Sequence, residues 1–304
     1  MKGKHIKNSP ITIDVNPFSK AKLIHKYSQL IKPQLIFGTN GQKDTEFMNP
    51  YAVATNSLGE IVVVDSWNHR IQVFDKNGKF KLSFGSSGKG EGQFNGPDGI
   101  VIDKKDNIII ADTDNHRIQI FDSKGNFIKQ FGKNGKDDGQ FFRPFGVTLD
   151  NEGNIYVADF GNHRIQIFDS EGKFLKKFGK EGVGNGEFNY PLGIAVNSRG
   201  NIIVGDYNNH RVQILSSTGQ FIQKFGQQGS GDGEFKFPWH ITIDENDSIL
   251  VADISNNRIQ IFDSDGNFLT KLGNVNLSSP TDIVLDKFGR IIIVESTSSQ
   301  VSVF

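Results

Sequence analysis

The chain has 304 residues, 36% of them hydrophobic, with 34 basic and 34 acidic side chains and no cysteine. That is enough apolar material for a sizeable core, and it excludes disulfides, thiol catalysis and cysteine-ligated zinc. Seven lysines face the single Asp14 in residues 1–35, so the remainder is mildly acidic, with 27 basic and 33 acidic side chains; this disfavours a sequence-blind polyanion binder.

In chain order, "MKGKHIKNSPITIDV" has no apolar core of the kind a secretory signal needs, and no later stretch approaches the ~18 consecutive apolar residues that span a bilayer. A cytoplasmic location and no membrane association are the expectation. Residues 1–24 read as a tail with a linker, and residues 25–304 as one domain.

From residue 32 onward the sequence repeats itself. Asp65, Asp112, Asp159, Asp206 and Asp253 are spaced by 47 residues, as are Arg70, Arg117, Arg164, Arg211 and Arg258, and Pro50, Pro97, Pro144, Pro191 and Pro238. A sixth unit, five residues shorter, resumes with Pro280, Glu295 and Gln300. Within a unit, "GIVID", "NIIIA", "RIQIF" and "NFIKQF" are β-branched or aromatic runs separated by turn sequences, which predicts a four-stranded antiparallel meander. Helical periodicity is absent. One such sheet cannot bury its two faces alone, so the period predicts an all-β fold: a six-bladed β-propeller of four-stranded antiparallel blades. The sixth unit stops at Phe304, in register with Phe262 at the end of a third strand. "KPQLIFG", residues 32–38, aligns with the fourth strands and is predicted to close the ring from the N-terminal side.

The register "ADTDNHRIQIFDSKGNFIKQFG", repeated as "VDSWNHRIQVFD", "ADFGNHRIQIFD" and "GDYNNHRVQIL", closely resembles the NHL repeat over residues 32–304. The sixth unit, "VESTSSQVSVF", departs from it. "HIKNSPITIDV", residues 5–15, is similar to the last strand of a filamin-type immunoglobulin domain, the alternative being an ordinary N-terminal tail. A filamin end running into an NHL propeller resembles the TRIM-NHL proteins of the branch that silences messenger RNAs in development. The resemblance implies a non-catalytic domain whose full-length parent would be a RING-type ubiquitin ligase, and RNA as the partner. The competing readings are a protein-interaction platform for ligase substrates and an NHL protein outside the TRIM family. A lone propeller is expected to be monomeric.

His69, His116, His163 and His210 each fall at the same place in a different blade, too far apart to converge on one metal ion, and no cofactor is expected. The repeated Asp and Arg suggest a structural ion pair or an Asp-capped turn. Phe94, Phe141, Phe188 and Phe235 recur in register and read as inter-blade packing. What departs from the repeat is more informative. Loops joining second to third strands and blade to blade share one face, and they carry Trp67, Phe160 and Tyr207 after the Asp, with Tyr51, Phe142, Phe145, Tyr190, Phe237 and Trp239 around the Pro. Arg143, Lys236 and His240 lie among them. Aromatic planes beside cations suit unstacked RNA bases and their phosphates, and suit a protein partner equally. The candidate RNA contacts are Arg143, Phe145, Lys236, Trp239, His240, Tyr207, Phe160, Tyr190, Trp67 and Tyr51.

Overall fold

The computed structural model describes residues 17–273 and 275–304; the filamin-like stretch at 5–15 lies outside the described residues. Six four-stranded antiparallel sheets form the blades of a closed ring. Blade two sets the pattern with Pro97–Ile102 innermost, then Ile108–Asp112, Arg117–Phe121 and Phe127–Phe131 outermost. Alternation is weak in the inner three strands, where nearly every side chain is buried, and clear in the outer strand, whose second and fourth residues face solvent. Both faces of the inner strands are covered by neighbouring blades, so those strands read as continuous apolar runs.

The core is six separate clusters, each held between two adjacent blades. Phe94, Phe141, Phe188 and Phe235 are completely buried there, as expected from their register. Three of them sit against the phenylalanine ending the next third strand, Phe94 on Phe121, Phe141 on Phe168 and Phe235 on Phe262, at 5.4 to 5.5 Å between centroids, and Phe188 shares its cluster with Leu215 in that place. Burying such a side chain contributes about 1.5–3 kcal/mol, and none of it is available to a single blade.

Ring closure follows the predicted path. The strand Leu35–Phe37 (β1) pairs antiparallel with Gln300–Val303 of blade six, with Leu35 opposite Val303, Ile36 opposite Ser302 and Phe37 opposite Val301. Blade six therefore contains both ends of the domain. An element not expected from the sequence precedes it: a helix, α1, spans Pro17–Ser28. It lies against the outer strand of blade five, and Tyr27 is fully buried among Leu250, Ile261, Leu269 and Ile291 between blades five and six. Its hydroxyl donates to Asp244 Oδ2 at 2.6 Å.

The repeated Asp, Asn, Arg and Gln form one hydrogen-bonded node in each of blades one to five. In blade three Asp159 Oδ1 accepts the Phe142 backbone N–H at 2.8 Å, while Oδ2 accepts Arg164 Nε at 2.7 Å, Asn162 Nδ2 at 2.9 Å and Gln166 Nε2 at 3.0 Å. The rest of the Arg164 guanidinium donates to the carbonyls of Lys136, Asp137 and Gln140 in the inter-blade loop. Of the two roles expected for the Asp, the ion pair is the one adopted. It makes no side-chain cap to the short 3₁₀ turn that follows, Phe160–Asn162. Burial raises the Asp159 carboxyl, opposed by these donors.

The histidines have a backbone task. His116, His163 and His210 adopt left-handed conformations, and each Nδ1 accepts the N–H of the residue before the next blade's proline, Arg143, Tyr190 and Phe237, at 3.0 to 3.1 Å. With His69, which accepts the Gly96 N–H at 3.1 Å, the histidine rings tie blades one to four each to the next, and this shared task accounts for their recurrence.

Candidate functional site

The loop face is built by two rows of variable positions set on invariant anchors. The first row is the residue before each proline: Asn49, Arg143, Tyr190, Phe237 and Ser279, all in the left-handed region with φ between 45° and 64°, with Gly96 completing it. Because the backbone N–H is fixed by the preceding histidine in the middle blades, the side chain here stands over that ring. Tyr190 lies 4.5 Å from His163 and Phe237 4.5 Å from His210, centroid to centroid. The second row opens each 3₁₀ turn. In blades one and two it is a buried hydroxyl, Ser66 or Thr113, donating to the next blade's proline carbonyl at 2.6 and 2.7 Å. In blades three and four it is aromatic, and Phe160 and Tyr207 instead lie on the neighbouring first row, 4.7 Å from Tyr190 and 4.8 Å from Phe237.

The structure therefore brings Phe160, Tyr190, Tyr207 and Phe237 together in one continuous half-buried stripe over blades three to five, with Phe160 and Tyr207 6.4 Å apart. Trp239 joins it, edge-on to Tyr207 at 5.5 Å, and Tyr51 lies 5.9 Å from Trp239 across the ring. Trp67 is 57% exposed and Phe142 42% exposed, and Phe142 stacks on His116 at 5.5 Å.

Two expected contacts are not offered to a ligand on this face. Phe145 is buried, 4.7 Å from Phe160 and 6.4 Å from Trp239. The residues after each proline, including Tyr51, Asp98, Phe145, Leu192 and Trp239, gather over the mouth of the central channel and leave a gap of only about 10 Å³. His240 lies deeper, 9% exposed, with Nδ1 2.6 Å from Asp282 Oδ1 in the channel between the innermost strands. The reason is legible in the register: His240 and Asp282 stand where blades two to four have Gly99, Gly146 and Gly193. A Cβ at Gly99 or Gly146 would come within 2.1 Å of the next blade's carbonyl, so this position points into the neighbouring strand rather than toward solvent.

The two remaining cations differ in charge balance. Lys236 is exposed and, among the described residues, makes no ion pair. Arg143 is 43% exposed, with its guanidinium 5.7 Å from the Phe145 ring centroid and Nε 3.0 Å from Asp114 Oδ1, which partly neutralises it. Near Arg143 is a group that sequence reasoning passed over, Asp98. It is 6% exposed, Oδ1 has no hydrogen-bond partner, and burial pushes its carboxyl up to about 8. The only sequence signal was an acid in a row otherwise filled by apolar and hydroxyl side chains.

Comparison with known proteins agrees with the repeat. The NHL repeat family matches residues 47–74, 94–121, 142–168, 188–215 and 235–262, which leaves blade six unmatched. The chain is 48% identical over 58 residues to the B-box type zinc finger protein ncl-1 of Caenorhabditis elegans, covering 18% of this chain and 7% of that one. It is 39% identical over 70 residues to Protein brain tumor of Drosophila melanogaster, 22% of this chain and 7% of that one, and 38% identical over 77 residues to the E3 ubiquitin-protein ligase TRIM71 of Bos taurus, 25% and 8%. The matched segments are thus a small part of each relative. Among solved structures, virginiamycin B lyase from Staphylococcus aureus superposes with a TM-score of 0.62 at 18% identity, covering 87% of this chain and 83% of the lyase. A gluconolactonase from Xanthomonas campestris gives 0.65 at 13% identity, covering 88% and 89%. At such identities the likeness is one of fold alone.

Proposed function

We propose that this chain, an NHL-repeat six-bladed propeller related to the TRIM-NHL proteins, is a recognition domain that binds a short RNA hairpin loop or single strand on its loop face. The observation that carries the reading is the unbroken aromatic stripe Phe160, Tyr190, Tyr207, Phe237 and Trp239, flanked by exposed Phe142 and Trp67 and by the cations Arg143 and Lys236. Half-buried rings held by neighbouring rings are pre-ordered platforms, and stacking on such a ring contributes about 1–3 kcal/mol per base. Lys236 supplies an unpaired charge for a phosphate, and Arg143 supplies one once a ligand competes with Asp114. The bases would be read by shape and stacking over blades three to five. By the likeness to TRIM-NHL proteins, the domain would select transcripts for a repressor acting in the cytoplasm.

A second reading, a platform for a protein partner such as a ligase substrate, is favoured by one specific observation. Asp114 and Asp98 place acid beside the cationic residue of the patch, and the stripe is rich in tyrosine and tryptophan, the usual anchors of protein interfaces.

Selection of RNAs from a random pool against the purified chain separates the two, with the winners measured at two salt concentrations. On the RNA reading a motif is enriched, affinity falls steeply with salt, and Arg143→Glu or Lys236→Glu weakens binding by at least ~1 kcal/mol without unfolding the protein. Asp114→Asn, which frees Arg143, strengthens it. No enrichment, or unchanged affinity in both charge reversals, refutes the RNA reading of this patch.

A further inference from the structure

The repeat leaves one ring out of the loop face. Blade four reads Asn189, Tyr190, Pro191 where blade two reads Asn95, Gly96, Pro97. His163 carries the ring of Tyr190, His210 that of Phe237, and His116 that of Phe142. His69 has the same backbone task, since its Nδ1 accepts the Gly96 N–H at 3.1 Å, so its ring is held as the others are. Among the described residues, however, no aromatic ring lies on it. Gly96 has φ 55° and Tyr190 φ 58°, so the backbone is the same and only the side chain is missing. The neighbour that lies 4.7 Å from Tyr190 on its other side, Phe160, is replaced here by the small, buried Ser66. Next to Ser66 stands Trp67, 57% exposed, which among the described residues stacks on no ring either. Blades one and two thus keep the seat for a flat ring, and the chain does not fill it.

The edge of the seat says which ring it accepts. A Cβ on Gly96 would stand 3.1 Å from Asp114 Oδ2, so a ring on His69 has this carboxylate beside it. Blade four carries the amide Asn208 in that register. Arg143 Nε donates to Asp114 Oδ1 at 3.0 Å, and among the described residues Oδ2 accepts no hydrogen bond. Both side chains of the pair are 43% exposed, whereas Asp98 is buried. A carboxylate only accepts, and its two oxygens match two adjacent N–H donors. Among the RNA bases guanine alone offers that on one edge, through N1–H and the N2 amino group, with the O6 acceptor next to them for a guanidinium. Adenine, cytosine and uracil each offer a single donor group there.

We infer that the place over His69 is a guanine slot, in which the base takes the position of the Tyr190 ring in blade four and donates N1–H and N2–H to Asp114. The inference rests on the RNA reading and adds to it a base-specific contact over blades one and two, where the stripe over blades three to five reads by stacking. The test is fluorescence-anisotropy titration of the whole chain with labelled oligouridines that carry one guanosine, one adenosine, one cytidine or none, each as a single strand and as a hairpin loop. The guanosine probe is expected to bind about tenfold more tightly than the other three, the scale of one two-point base contact. Gly96→Tyr writes the Asn-Tyr-Pro of blade four into blade two, and should erase this preference while the protein stays folded. Asp114→Asn turns one acceptor into a donor facing the guanine donors. It should also erase the preference, even as the probes without guanine gain affinity from the freed Arg143; a purely structural role for Asp114 would shift all four probes alike. If Gly96→Tyr misfolds, Asp114→Asn decides alone. Equal binding of the four probes, preference for another base, or a guanine preference that survives a folded Gly96→Tyr or Asp114→Asn would overturn the inference and leave the RNA reading standing. No binding of any probe at millimolar concentration would overturn both.

Discussion

Asp159→Asn removes one negative charge from a site with no solvent exposure and leaves the volume unchanged. The carboxylate serves four donors, and one of them, Arg164, has a side chain only 7% exposed. The substitution therefore leaves a buried guanidinium whose remaining partners are three neutral carbonyls, and turns one acceptor into a donor facing donors. Breaking a buried pair from one side costs about 3–5 kcal/mol. Blade six supplies the control within the same molecule. There Glu295 accepts the Ser278 backbone N–H at 2.8 Å and the Ser302 hydroxyl at 2.6 Å, but no arginine. Glu295→Gln should therefore cost only ~1.5–3 kcal/mol, the scale of hydrogen bonds to a charged group. Urea titration should give a larger loss in midpoint for Asp159→Asn than for Glu295→Gln with unchanged slope, and thermal scans should separate the two by a few degrees, at about 2 °C per kcal/mol for a chain of this size. Replacing Arg164 by Met on top of Asp159→Asn should recover part of the loss. Equal costs at the two positions, or no recovery in the double variant, would refute the view that the ion pair, rather than the hydrogen bonds alone, anchors each blade. Because Arg164 holds the loop that presents Phe142 and Arg143, the same variant should also weaken any ligand bound there.

Two further perturbations test the rest of the frame. Deleting residues 17–38 removes β1 and the buried Tyr27, exposes the edge of Gln300–Val303, and should open the ring; a truncated protein with the full-length melting temperature would contradict closure through β1. Asp98 predicts a pH effect of definite sign. Its carboxyl is raised from the usual carboxylate range to about 8 in the folded state, so the native protein holds that proton while the unfolded chain releases it, and the stabilisation is lost as pH rises from about 4 to about 8. Asp98→Asn should therefore match the native protein near pH 4 and exceed it progressively toward pH 8, by on the order of a few kcal/mol. A difference between the two that does not change with pH would place the Asp98 carboxyl in its ordinary range.

The fold was legible because its repeat is strict where the backbone needs it to be. Asp159 and Arg164 recur at a fixed spacing since each completes the same node in blades one to five, and a node that must form five times leaves the same letters five times. The closing strand was legible for the same reason, because Phe37 and Gly38 repeat the ends of other fourth strands. The helix was not. Leu23, Ile24 and Tyr27 make barely one turn of apolar spacing, and α1 is held against the outer strand of blade five by one buried aromatic anchor rather than by a long amphipathic stripe.

The face itself divides along the same line, and the division explains where sequence reasoning misplaced two side chains. A position can be judged exposed from its loop only if the loop residue does not also begin a strand, and Phe145 and His240 do begin one. In register, Phe145 stands with Asp98 and Leu192 over the channel mouth, and His240 stands with Gly99 and Gly146, where a side chain meets the next blade. Tyr190 and Phe237 stand in the row before the proline, where a left-handed backbone and a histidine acceptor turn the side chain toward solvent whatever its identity. The propeller thus separates positions that may vary from positions that may not by one residue along the chain. Variation at the first kind changes what the face presents without disturbing the node beneath it. At the second kind it must be answered across the blade boundary, as Asp282 answers His240.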